Sequence, residues 1–258
     1  MFVYCVLIML LIIEHIYPFY PLQHEKLRWI IHGALFAIAI VLHWLTNVLM
    51  SFVVATSNTN HELTVSLFVF QFLLIDLYEY VLHRLHHHYR LLWAVHLVHH
   101  SDIELDATTQ FRHHPLEVLI AIALFTLFIV SFSINPYVVL VYGVVATSIA
   151  LWHHSNTRIA DNIDKLMSFL VITPRLHRLH HSRLRENTDS NYGVVFSLWD
   201  RVLGTLNDKT TQDGSDFGLE YFNSPQDQSL TKVITQPVKY WQNQDNNRNH
   251  LSKKIDSV

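Results

Sequence analysis

The chain has 258 residues, of which 50% are hydrophobic and only 15% charged, with a formal net charge of −3 when the histidines are neutral. Soluble domains carry roughly a quarter charged residues, so this composition points to a membrane protein, and the slightly negative balance gives no basis for nucleic-acid binding. The single cysteine, Cys5, excludes intrachain disulfides and multi-thiolate metal sites. No G-x-G-x-x-G phosphate-binding motif is present.

In chain order, apolar stretches at 2–17, 29–52, 63–82, 117–134 and 137–152 approach the roughly 20 residues that cross a bilayer as a helix. The first lacks a basic n-region and a small-residue cleavage site and carries Glu14 and His15, so it is expected to stay as a partly interfacial anchor. With these spans, every Lys and Arg falls in 18–28, 83–115 or 153–258, and the loops between those segments carry none. Basic residues collect on the cytoplasmic side. The three segments are therefore expected in the cytoplasm and the N-terminus outside, with a bacterial inner membrane favoured over the endoplasmic reticulum. The expected fold is all-α: a polytopic membrane helical bundle of about four to five spans in two hairpins, with a cytoplasmic histidine-rich helical cap. Residues 1–62 form the first hairpin, 63–207 the functional core, and 208–258 a polar tail with a short helix near 233–241 and a disordered end.

Fourteen of the twenty histidines lie between His83 and His181, and three groups share one spacing. His83/His86/His87, His96/His99/His100 and His177/His180/His181 each read His-x-x-His-His. On a helix, residues i, i+3 and i+4 share a face, so each triplet is expected to aim its imidazoles at one point. A nitrogen-rich shell suits iron, zinc, copper or nickel rather than calcium or magnesium. Neutral imidazoles also bring no charge to the bilayer edge, where several carboxylates would be costly. Asp76 and Glu79, seven and four residues before His83, are placed to hydrogen-bond the far nitrogen of a liganding imidazole.

Several stretches carry a resemblance. They are Asp76-Leu-Tyr-Glu-Tyr-Val-Leu-His-Arg-Leu-His-His, Leu92-Trp-Ala-Val-His-Leu-Val-His-His-Ser-Asp and Thr108-Thr-Gln-Phe-Arg-His-His-Pro-Leu-Glu. They continue with His154-Ser-Asn-Thr-Arg-Ile, Thr173-Pro-Arg-Leu-His-Arg-Leu-His-His-Ser, Asn191-Tyr-Gly and Leu198-Trp-Asp-Arg-Val-Leu-Gly-Thr. Over residues 71–205 the chain resembles the fatty acid hydroxylase and sterol desaturase superfamily of membrane di-iron oxygenases.

The resemblance implies metal ligands at His83, His87, His96, His99, His100, His154, His177, His180 and His181. The family's first box is His-x-x-x-His, which makes His86 optional although its spacing admits it. Where some relatives have a further histidine one turn before His154, this chain has Ala150, and His114 is a candidate substitute. His88, His113 and His153 match no ligand position and are expected at the surface or behind the ligands. His15, His24, His32, His43, His61 and His250 read as interfacial, core or tail residues. Trp93, Trp152 and Trp199 are expected to pack the cap or line a lipid entrance, and Arg178 and Arg183 to meet a lipid head or an acidic redox partner.

The implied activity is O2-dependent hydroxylation or desaturation of a lipid C–H bond, whether sterol, fatty acyl or related. Two iron ions are the implied cofactors, with zinc able to replace them in purified protein. A separate electron donor of ferredoxin, rubredoxin or cytochrome b5 type, with its reductase, is the implied partner. A histidine-rich divalent metal transporter and a non-catalytic relative are the rival readings.

Overall fold

The computed structural model describes residues 2–23, 25–56, 62–208 and 216–255, and among these there are helices and three isolated β-bridges but no strand. His24 and His61 lie outside the described residues, as do the side chains of His43 and His250. All five apolar stretches are helical: α1 (Phe2–Ile16), α2 (Glu25–Thr56), α3 (Val65–His88), α5 (Pro115–Ser131) and α6 (Pro136–His154). Among the described residues α3 and α6 are long and apolar enough to cross a bilayer, whereas α1 and α5 are shorter apolar helices.

Local chemistry sets the helix ends. Thr64, His114 and Asn135 each accept a backbone N–H at the start of α3, α5 and α6, and Pro115 and Pro136 occupy the first helical position. One extended residue, Tyr89, separates α3 from α4 (Arg90–His100), and this break brings the α4 histidines against those of α3. The short helices α7 (Asp161–Met167), α8 (Pro174–His180), α9 (Arg185–Thr188) and α10 (Leu198–Val202) build the rest of the cap. The polar tail ends in α11 (Leu230–Ile255), a helix of 26 residues where a short one was expected.

Three clusters bury the apolar surface. Ile75, Phe128, Ile134, Val138, Tyr142 and Val195 join α3 to the α5–α6 hairpin, whose turn is held by Gln71. Ile31, Leu35, Trp93, Leu97, Val98, Phe222 and Val233 join α2, α4 and α11. Leu10, Ala107 and Leu151 join α1 to a 3-10 turn (Ala107–Phe111) and α6. The N-terminal helices thus share core with the histidine-bearing segment, and Glu14 reinforces this by accepting the backbone N–H groups of Ala107 and Asn156.

Two buried polar knots fix the histidine-bearing elements. Arg28 donates to both oxygens of Asp102 at 2.9 Å and to Asp106 at 2.6 Å, with all three side chains almost wholly buried. Burial alone would raise the Asp102 carboxyl, but Arg28 and His32 outweigh it and hold it well below the usual carboxylate range. The second knot is Asp76, which accepts from Tyr142 Oη (2.9 Å), Trp199 Nε1 (2.8 Å) and the backbone N–H groups of Val195 and Phe196 (3.2 and 3.3 Å). It ties α3 and α6 to the cap segment after Asn191. Asp76→Leu strands these donors in a dry interior and is expected to cost roughly 3 kcal/mol, lowering the thermal midpoint of the detergent-solubilised protein by about 6 °C or more. An unchanged midpoint would contradict this role.

Candidate metal centre

The nine histidines implied as ligands converge, but on two points rather than one. His83, His87, His96, His100 and His180 bring one ring nitrogen each to within 4.8 Å of one another, and His99, His154, His177 and His181 do the same beside them. Eight of the nine are buried and His83 is half-buried. In the second and third triplets the first and last members go to one group and the middle member to the other. The helix explains the division, because residues i+3 and i+4 differ by about 100° in direction. The expectation of one focus per triplet is corrected accordingly.

His86, the middle member of the first triplet, joins neither group. Its Nδ1 donates to Leu82 O of its own helix at 2.9 Å. His114 is not a substitute ligand: Nδ1 caps α5 by accepting from Leu116 N, and Nε2 donates to Ile234 O. His88 is exposed. His153 is buried rather than superficial, with its ring centroid 3.9 Å from that of His177, and His113 stacks on His99 at 4.5 Å.

Carbonyl oxygens behind the rings set their tautomers. His83 Nδ1 donates to Tyr192 O at 2.8 Å, His180 Nδ1 to Ser190 O at 2.7 Å, and His154 Nδ1 to Ala150 O at 2.7 Å. A neutral imidazole has one N–H, so Nε2 of each then points inward as a bare lone pair. His83 Nε2 and His180 Nε2 nevertheless lie 3.0 Å apart. Two lone pairs at that separation repel unless a cation lies between them. Protonating one ring is disfavoured, because burial pushes His180 down to about 3. Burial and the neighbouring imidazoles likewise lower His99, His100, His177 and His181 well below the usual range.

The spacing also fits a metal. The pairs His99–His154, His154–His177 and His177–His181 have Nε2 atoms 3.1, 2.9 and 3.1 Å apart. Adjacent ligands on an octahedral ion with bonds of about 2.1 Å lie about 3.0 Å apart, against about 3.4 Å on a tetrahedral one. Inward nitrogens of His87, His96 and His100 are buried without a protein partner. Five nitrogens in one group also exceed the four that tetrahedral zinc takes. The donor set therefore fits six-coordinate ions with positions left over.

The carboxylate behind these ligands is not one of those expected. Asp76 serves the structural knot, and Glu79 hydrogen-bonds no histidine among the described residues. Glu117 accepts from His96 Nδ1 at 2.7 Å and from His113 Nδ1 at 3.1 Å, the arrangement that orients a liganding imidazole and raises its basicity. Its sequence signal was a lone carboxylate in the first turn of an otherwise uncharged, largely apolar helix, which is costly without a partner. Behind the other ligands, Asp200 accepts Tyr192 N and Gly193 N at 2.8 Å each and so holds the carbonyl that orients His83. Gly193 admits no side chain, because a Cβ would lie 2.5 Å from Phe196 O.

Trp93 packs behind His87 and His100, and Trp199 serves Asp76. Arg178 is buried against the Phe19 ring and is not a free cation for a lipid head or partner, whereas Arg183 is exposed in a surface pair with Asp216.

A cavity of about 670 Å³ leads away from the imidazoles between α3, α5 and α6. His83, His96, His99 and His154 line one end, and Ile122, Phe125, Ile129 and Val139 the other.

An all-helical chain with apolar helices, two convergent imidazole groups and an apolar cavity beside them belongs among the histidine-box membrane proteins. More specifically, the chain belongs to the fatty acid hydroxylase family, a family of oxidoreductases, whose model matches residues 68–205, more than half of its length. It is 33% identical over 140 residues to ornithine lipid hydroxylase OlsE of Rhizobium tropici, covering 54% of this chain and 41% of that protein. It is 31% identical over 135 residues to human alkylglycerol monooxygenase, covering 52% of this chain and 29% of the relative. Methylsterol monooxygenase 1 of Gallus gallus is 33% identical over 130 residues, 50% of this chain and 42% of that protein. The chain thus matches less than half the length of each of these relatives. No solved structure matches.

Two outcomes follow from the geometry. Glu117→Gln weakens the acceptor behind His96 and is expected to lower metal affinity about tenfold with the fold intact, measured by competition against a chromophoric chelator; unaltered affinity would remove Glu117 from the centre. The second concerns the chelator-treated protein. A histidine whose folded pKa is depressed binds its proton more readily when unfolded, so stability is lost as pH falls below about 6.5. His180, lowered to about 3, contributes roughly 1 kcal/mol of that loss between pH 6.5 and 5.5. The thermal midpoint of the metal-free protein should fall over this interval, and a flat profile would contradict the neutral, buried cluster.

Proposed function

We propose that the chain is a multi-pass membrane di-iron oxygenase that hydroxylates or desaturates a C–H bond of a lipid. The observation that carries this reading is the meeting of two imidazole groups with an apolar cavity between helices. His83, His87, His96, His100 and His180 hold one ion, and His99, His154, His177 and His181 the other. Bound there, the irons supply the capacity to activate O2 for attack on an unactivated C–H bond. Hydroxylation consumes O2, two electrons and two protons and yields an alcohol and water; desaturation with the same inputs yields an alkene and two waters.

The protein's own part is positional. The carbonyls of Ala150, Ser190 and Tyr192, with the Glu117 carboxylate, take the outer N–H of four ligands and keep their inner nitrogens aimed at metal. The walls of α5 and α6 keep water from the reacting carbon and let the substrate chain stay in an apolar medium. Electrons come from a separate donor of ferredoxin, rubredoxin or cytochrome b5 type with its reductase. With four to five spans, the one-sided Lys and Arg distribution supports a metal centre facing the cytoplasm, in a membrane that we take to be a bacterial inner membrane. The relatives' names support a lipid substrate: an ornithine lipid, an alkylglycerol and a methylsterol. Against a transporter, the ligands sit at helix ends and in the cap rather than along a path through the membrane.

The test is metal content of protein purified from iron-supplied cells, followed by a lipid-product screen. The wild type and the His88→Ala control are expected to hold about two irons per chain, whereas His99→Ala loses metal and turnover; iron is supplied because zinc also loads nitrogen-rich sites. A folded wild type without bound metal would overturn the reading in favour of a non-catalytic relative.

A further inference from the structure

Glu79 is the acid in the cavity wall that the metal centre does not use. On α3 the cavity is lined by Glu79, Leu82, His83 and His86, spaced i, i+3, i+4 and i+7 along one helical face. Glu79 is the outermost of the four, about 6 Å along the axis from His83. Its carboxyl makes no hydrogen bond or ion pair with any described residue. Tyr78, next to it, packs on Phe125 and Phe128, and from this depth to Ile129 and Val139 the lining is mostly hydrocarbon, with Thr126 and Tyr142 among it.

A carboxyl group in such a wall is costly without a partner. A plain hydrocarbon entering the cavity would displace water from it and leave it unpaired. A ligand with a hydroxyl, amide N–H or ammonium at the same depth would satisfy it. Because Glu79 stands one helical turn from a histidine of the centre, that donor group lies close to the reacting carbon, and the tail extends toward Ile129.

Resting on the lipid-oxidising reading above, we propose that Glu79 is a specificity-determining residue that binds a hydrogen-bond-donating head group, so the lipid is oxidised near its polar end rather than along its tail. Glu79 thereby selects against lipids lacking such a donor, as buried polar groups left unpaired do in other binding sites.

The test uses the full chain, metal-loaded, in lipid nanodiscs without O2, and compares binding of hexadecane-1,2-diol with that of 1,2-dimethoxyhexadecane, which keeps the acceptors but lacks donors. The wild type is expected to prefer the diol about tenfold, a difference of one good hydrogen bond. Glu79→Leu should lose the preference by weakening the diol alone, with unchanged metal content, and Glu79→Gln should retain part of it. A steric preference would persist in Glu79→Leu and would overturn the proposal. Equal binding of the two probes by wild type would overturn the Glu79 role while leaving lipid oxidation standing. Binding of neither would overturn both, and metal content measured on the same sample separates that result from loss of the centre.

Discussion

The structure turns on imidazole nitrogens that face one another without a proton between them. His83 and His180 meet at 3.0 Å through Nε2, each having committed its only N–H to a carbonyl behind it. Repulsion of that kind in a buried region is relieved by a cation between the two rings. The carbonyls, the turn at Gly193 and the carboxylates of Glu117 and Asp200 all serve to hold this arrangement.

Elements distant in sequence must be locked together for the nitrogens to converge. The knots at Arg28 and Asp76 do so, one joining α2 to the loop after the second triplet, the other joining α3 and α6 to the cap. Removing one partner from either would leave several charged or polar groups buried and unpaired. The acids close to the histidines therefore divide their work. Asp76 and Asp102 hold elements in place, Glu117 orients His96, and Glu79 faces the cavity.

That cavity joins the imidazoles to an apolar wall. Its metal end is polar and its far end is formed by apolar side chains of α5 and α6. The same apolar helices that set the chain's composition thus also form the wall of the cavity beside the imidazoles.

Helix content, the apolar stretches and the three histidine triplets were legible in the sequence, because hydropathy and the His-x-x-His-His spacing are local properties that survive any packing, whereas including His154 and setting His86 aside rested on the family resemblance. The division of the triplets between two foci was not. It depends on which way each helix is turned, and Tyr89, Arg28 and Asp76 set that through contacts with partners far along the chain. The expectation that Asp76 or Glu79 would back His83 failed for the same reason: proximity in sequence placed them near, but a carbonyl of Tyr192, 109 residues away, took the Nδ1 hydrogen. His114 illustrates the converse, a histidine beside the boxes that packing assigned to a helix cap. What the sequence by itself determined was the donor chemistry and the membrane setting, since residue types carry these. Only tertiary structure decided which nitrogen meets which, because a lone pair's direction is set by the hydrogen bond on the other side of its ring.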